Sequence, residues 1–118
     1  MGQPISPMGV EGQLHGGLAQ GIGFALMENV KFDDSGNTTN TDFLNYKLLT
    51  AIEAPEKVEV FLAPGQERTG PFGAKGIGES ALNDVATAVV NAIAHATGVR
   101  FKELPVTAEK VLKALEKS

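Results

Sequence analysis

Residues 70–80 read Gly70-Pro71-Phe72-Gly73-Ala74-Lys75-Gly76-Ile77-Gly78-Glu79-Ser80. Four glycines in nine residues run up to a single carboxylate. Glycine permits positive φ and close backbone approach, at an entropic cost. The stretch therefore reads as a loop that presents Glu79 to something held against its backbone. Upstream, Val58-Glu59-Val60-Phe61-Leu62 alternates and is rich in β-branched residues, which predicts a strand. Downstream, residues 80–97 (SALNDVATAVVNAIAHAT) predict a helix. Ser80 or Asn83 caps it, Leu82, Val85, Ala86, Val89, Val90 and Ile93 form its apolar face, and Gly98 stops it. Strand, glycine loop and helix in this order predict an α+β fold, a short mixed or antiparallel sheet packed by two to three helices.

Further out, residues 11–29 (EGQLHGGLAQGIGFALMEN) carry helical periodicity through Leu14, Leu18, Ile22 and Leu26. Glycines at 12, 16, 17, 21 and 23 lie in the same window. Each costs about 0.8–1 kcal/mol relative to alanine, roughly 4–5 kcal/mol together, which tertiary contacts must offset. Two readings stand: close packing on a sheet or another helix, or close approach of a cofactor with Gln13 and Gln20 as amide donors. The spacing Gly21-x-Gly23-x-x-Leu26 lacks the third glycine and the preceding strand of a dinucleotide fingerprint. Val30-Lys31-Phe32 followed by Asp33-Asp34-Ser35-Gly36-Asn37 predicts a hairpin-like passage. Thr107 caps a last amphipathic helix with Val111, Leu112 and Leu115 facing inward.

The 118 residues amount to one domain with one modest core. No apolar run is long enough for a membrane span. The first residues lack the basic start and apolar stretch of a secretory signal, so the cytoplasm is the expected compartment. A formal net charge of −4 argues against a nucleic-acid partner, which demands a basic face. Zero cysteines exclude disulfides, thiolate metal sites and a cysteine nucleophile.

The chemical inventory is thin. His15 and His95 have no ligand-spaced companion, so no metal site is expected. Gly73-Ala74-Lys75-Gly76 is not a P-loop, and Lys75 reads as a solvated or loop-pinning lysine. Glu79 stands out, with two readings. It could stabilise the helix that follows through the helix dipole. It could also be a positioned general base, its pKa lifted toward working pH when a ligand covers it.

Several segments in order carry a resemblance. They are Glu11-Gly12-Gln13-x-His15-Gly16-Gly17-x-x-Gln20-Gly21-Ile22-Gly23, Thr41-Asp42-x-x-x-Tyr46, the loop Gly70–Glu79, Asn91-Ala92-Ile93 and Leu104-Pro105-Val106-Thr107-x-Glu109-x-Val111. Together they resemble the C-terminal segment of the large subunit of molybdenum hydroxylases, the xanthine dehydrogenase and aldehyde oxidase family. The resemblance spans the whole chain. It implies a molybdopterin cofactor and oxidation of an sp2 carbon of an N-heterocycle or aldehyde, with water as the oxygen source. It assigns Glu79 the removal of a proton from a metal-bound hydroxo group. It places Gln13 against the pterin phosphate, and Gln20 with the backbone of Gly76, Ile77 and Gly78 beside the cofactor.

The family's large subunit is several times longer, and most of its pterin-contacting loops lie upstream of the matched region. Residues 1–118 are therefore expected to be one piece of a larger molybdopterin-binding domain, inactive and without cofactor in isolation. The expected partners are the remainder of the large subunit, iron–sulfur and FAD subunits or domains, and a small-molecule substrate. Self-association through uncovered edges is a further expectation. Two other readings compete: a stand-alone binding or assembly module that kept the fold without catalysis, and a small phosphate-ligand binder using the glycine loop.

Overall fold

The computed structural model describes residues 2–63 and 65–117. Three α-helices follow one another: α1 (Pro7–Leu26), α2 (Val85–Thr97) and α3 (Ala108–Leu115). Short 3-10 turns lie at Pro71–Gly73 and Glu79–Ala81.

The start of α1 is set by Ser6, whose hydroxyl accepts from the Gly9 N–H at 3.2 Å, and by Pro7 at the first helical position. It begins four residues before the periodic stretch and ends three residues before Asn29. Its glycines resolve into two groups. A Cβ on Gly17 would sit 2.6 Å from the Ala81 Cβ, and one on Gly21 would sit 2.5 Å from the Val85 Cβ. These two, one helical turn apart, let the 79–81 turn and α2 pack onto α1. Gly12 and Gly16 meet nothing within 4 Å. The packing reading thus accounts for Gly17 and Gly21, and the partner is a helix.

The helix expected over 80–97 begins at Val85 instead. Residues 79–81 form a separate 3-10 turn, closed by the Leu82 N–H donating to the Glu79 carbonyl at 3.0 Å. Gly98 ends α2 in the left-handed region at φ 75°, as its position suggests. Thr107 caps α3 by accepting from the Lys110 N–H at 3.3 Å. The Val106 N–H donates to the Ala25 carbonyl at 2.6 Å, tying the approach to α3 onto the end of α1. Val10, Ala25 and Val106 are among the buried apolar residues.

The expected sheet is absent from the described residues; the molecule is a small helical assembly, not a sheet packed by helices. Residues 58–62 form no strand, and no backbone hydrogen bond joins them to another described segment. The passage at 30–39 forms one antiparallel bridge, Phe32 with Thr38, around a turn in which Gly36 takes φ 82°. Alternation in sequence encodes an extended chain with two unlike faces. A sheet also needs a second strand to complete its ladder, and none among the described residues pairs with 58–62.

The chain is more open than its length requires. Its radius of gyration is 17.8 Å, against about 13.5 Å for a compact chain of this length. Its accessible surface is 8848 Å², against roughly 6,100 Å² for a folded monomer of this mass. Phe43, Ile52, Phe61 and Phe72 are each more than four-fifths exposed. Side chains of this type belong in an interior, so the surplus surface is apolar as well as large.

Candidate functional site

The glycine loop is anchored on three sides. At its start, the Gly73 carbonyl accepts from the N–H of Gln3 at 2.7 Å and of Glu67 at 3.0 Å. Gly73 lies at φ 75°, and Phe72 beside it also takes a positive φ of 53°, a conformation uncommon for a bulky residue. Lys75 reaches the Glu67 carboxylate at 3.6 Å, so it pins the loop as one of its readings had it. The Glu67 carboxyl is held below its ordinary range, chiefly by the backbone N–H and hydroxyl of Thr69, with Lys75 a lesser cause.

The third anchor comes from α1. The Gln13 side-chain amide donates to the Ile77 carbonyl at 3.2 Å and to the Gly78 carbonyl at 3.4 Å. In a trans peptide the carbonyl and the following N–H point in opposite directions. Holding the carbonyls of Ile77 and Gly78 toward α1 therefore turns the N–H groups of Gly78 and Glu79 away from it. Among the described residues, the N–H groups of Gly76, Ile77 and Gly78 donate to no protein acceptor. Gly76 and Gly78 have nothing within 4 Å of where a Cβ would lie. The outcome is a bare strip of backbone donors leading to the exposed Glu79 carboxylate, which has no hydrogen-bond or ion-pair partner.

Glu79 does not sit in the first turn of α2, which begins six residues later. A three-residue 3-10 turn supplies little dipole, so the dipole reading of Glu79 loses most of its physical basis. Gln13 is brought to the loop, but its donors are already spent on carbonyls; what remains is an acceptor oxygen. Gln20 lies two turns along the same stripe of α1, exposed and without a hydrogen-bond partner. His15 and His95 are exposed, and no group of three metal-ligating side chains occurs among the described residues.

One contact escaped the sequence. The Tyr46 hydroxyl donates to Glu28 Oε2 at 2.9 Å, fastening the 42–46 turn to the end of α1. That bond is the main cause of a Tyr46 pKa above the usual tyrosine value, with burial second and the Glu28 charge third. Glu28 in turn occupies the space that a Cβ on Gly23 would need. Eighteen residues separate the partners, and no local pattern announces such a pair. Asp42 stabilises the same turn by accepting from the N–H groups of Leu44 and Asn45 at 2.9 and 3.0 Å.

Comparison with known proteins places this geometry among relatives. Residues 1–55 match the family described as Molybdopterin cofactor-binding domain. The chain is 39% identical over 116 residues to an aldehyde oxidoreductase of Megalodesulfovibrio gigas, covering 98% of this chain and 12% of that protein. It is 34% identical over 115 residues to the molybdenum-binding subunit of an Escherichia coli aldehyde oxidoreductase, covering 97% of this chain and 16% of that subunit. Its fold superposes on the crystal structure of quinoline 2-oxidoreductase from Pseudomonas putida 86 with a TM-score of 0.86 and 34% identity, over 98% of this chain and 15% of that one. The chain thus spans between about an eighth and a sixth of the length of these relatives. They are oxidoreductases by name, and molybdenum and molybdopterin recur among the matches.

Proposed function

We propose that residues 1–118 form the glutamate-bearing, C-terminal part of a molybdenum hydroxylase large subunit, and that Glu79 is its general base. The observation that carries this reading is the arrangement of the loop. Gln13 holds the carbonyls of Ile77 and Gly78, the opposed N–H groups are unpartnered, and the carboxylate at the end of the strip is free. The similarity to molybdenum-binding oxidoreductases over nearly the whole chain supports it.

The residues present fit a molybdopterin at this edge. Gly76 and Gly78 leave room for close approach, the N–H groups of Gly76, Ile77 and Gly78 supply donors for its oxygens, and the Gln20 amide is uncommitted. When bound, that cofactor supplies the redox step, taking the electron pair from an sp2 carbon of an N-heterocycle or aldehyde while water provides the oxygen. The chain's own part is proton chemistry and positioning. Glu79 accepts a proton at its carboxylate, and general-base help of this kind is worth about 10²–10⁴ in rate. Gln13 fixes the direction in which that carboxylate is presented. The engaged state of its donors makes loop positioning its first role here and a pterin phosphate contact a second.

The remainder of the large subunit is the partner this reading needs. A surplus of roughly 2,700 Å² of surface over a compact monomer is of the size that an obligate interface buries. Iron–sulfur and FAD centres would carry the electrons onward, because a chain without cysteine has no thiolates for such clusters. Alone, the chain is proposed to hold no cofactor. Molybdenum and pterin are quantified in the purified 118-residue chain and again after combination with the upstream remainder of a relative's subunit. Metal only in the combined sample supports the reading. Stoichiometric metal in the chain alone contradicts it, and a combined sample that binds metal but never turns over favours an assembly module.

A further inference from the structure

The chain's basic residues are not spread evenly. Five of its ten lysines and arginines, Arg100, Lys102, Lys110, Lys113 and Lys117, line one concavity of about 450 Å³ between residues 99–103 and α3. They come from two separate segments, so sequence proximity alone does not assemble them. Lys110, Lys113 and Lys117 are spaced i, i+3, i+7 along α3 and the turn after it. Side chains at that spacing share one face over about 10 Å.

Little in the protein neutralises them. Lys113 pairs with Glu109 at 2.6 Å, and both side chains are largely exposed, so that pair is weak. The Arg100 guanidinium reaches only the neutral Asn91 amide, at 3.5 Å. Lys102, Lys110 and Lys117 have no carboxylate within ion-pair distance among the described residues. Glu103 is the one acidic residue lining the concavity. In a chain of net charge −4, five cations gather here against Glu103 and the Lys113-paired Glu109, so the local charge is opposite in sign to that of the whole. The half-buried Phe101 and Val99 supply an apolar floor.

We propose that this concavity is a binding site for a polyphosphate anion of the nucleoside di- or triphosphate class. The lysine stripe on α3 runs along the phosphate chain, and Arg100 closes the end with a planar donor fork, geometry well matched to phosphate oxygens. The base or sugar rests on Phe101 and Val99. For such a polyanion the glycine loop is the weaker candidate, because the cation beside it, Lys75, is engaged by Glu67. The inference is independent of the role given to Glu79.

The test is titration of the isotopically labelled 118-residue chain with ATP, inorganic tripolyphosphate, adenosine and a polyglutamate peptide, followed by NMR shifts and calorimetry. Saturable binding of ATP and tripolyphosphate is expected, with shifts confined to 99–103 and 110–117 and none from adenosine. Affinity should fall markedly between low and physiological salt as charges are screened. The variant K110Q/K113Q/K117Q should bind about tenfold more weakly or worse, since charge-assisted bonds are lost, while Lys47→Gln, at an exposed lysine outside the concavity, binds as the parent does. ATP tighter than tripolyphosphate supports the nucleoside floor; equal affinities overturn that part. Absence of saturable binding, shifts centred on 76–80, an unchanged triple variant, or a polyglutamate peptide binding as tightly as ATP would each overturn the site.

Discussion

Four glycine-to-alanine replacements on α1 should split by sign. In a helix interior an alanine gains about 0.8–1 kcal/mol over glycine when nothing obstructs it. Gly12 and Gly16 meet that condition, with nothing within 4 Å of the added Cβ, so Gly12→Ala and Gly16→Ala should each stabilise by about that amount. At Gly21 the new methyl would lie 2.5 Å from the Val85 Cβ. A relaxed carbon–carbon contact is about 3.5–4.0 Å, so α2 must retreat by roughly 1–1.5 Å. At Gly17 the methyl would lie 2.6 Å from the Ala81 Cβ and 3.1 Å from its backbone carbon, so here main chain must move. Overpacking of this kind costs about 1–3 kcal/mol. Set against the propensity gain, Gly17→Ala and Gly21→Ala should be net destabilising by about 0–2 kcal/mol, with Gly17 the worse. Urea unfolding followed by far-UV circular dichroism reads all four. The same sign throughout would refute the assignment of Gly17 and Gly21 to helix packing and of Gly12 and Gly16 to open surface.

Three further outcomes follow from the loop and the turns. Gln13→Ala removes an exposed amide clamp worth at most about 1 kcal/mol; its clearer effect should be lower backbone order at 76–79 in ¹⁵N relaxation, and unchanged order there would remove Gln13 from its positioning role. Tyr46 is the only tyrosine, so tyrosinate absorbance reports it alone; its midpoint should lie above the usual value of 10.0, and Glu28→Gln should bring it down. The raised folded pKa means that the latch stabilises below the unfolded tyrosine pKa and is lost as pH rises through the folded one. Asp33 and Asp42 titrate below 3.8, held first by the side chains of Asn37 and Asn45 respectively. Their turns should therefore keep full support above the unfolded carboxyl pKa and lose it as pH falls through the folded pKa, with the Asn37 and Asn45 amide resonances titrating together with the carboxyls.

What the sequence made legible was local. Gly98 and Thr107 announced a helix end and a helix start that the structure keeps, since capping depends on neighbours a few residues away, whereas the start of α1 at Pro7 was not read from its periodicity. The glycine strip and its carboxylate were also visible, as a composition anomaly. The sheet was misread because 58–62 carries a strand's pattern without a partner to pair with. The start of α2 was misplaced because the apolar Leu82 belongs to the turn that packs on α1, not to the helix. The Gln13 clamp and the Tyr46–Glu28 latch join residues 64 and 18 positions apart, and periodicity holds no information at that range. The basic concavity was hidden in the same way, by a chain whose overall charge is negative.

The proton-accepting role of Glu79 can be read in an assembled subunit. The chain is joined to the upstream remainder of a molybdenum-binding subunit, with parent and Glu79→Gln forms compared for metal content and single-turnover rate. Equal molybdenum is expected in both, with a rate about 10²–10⁴-fold lower in the variant. A Glu79→Gln subunit that binds its metal and turns over at the parent rate would contradict that role.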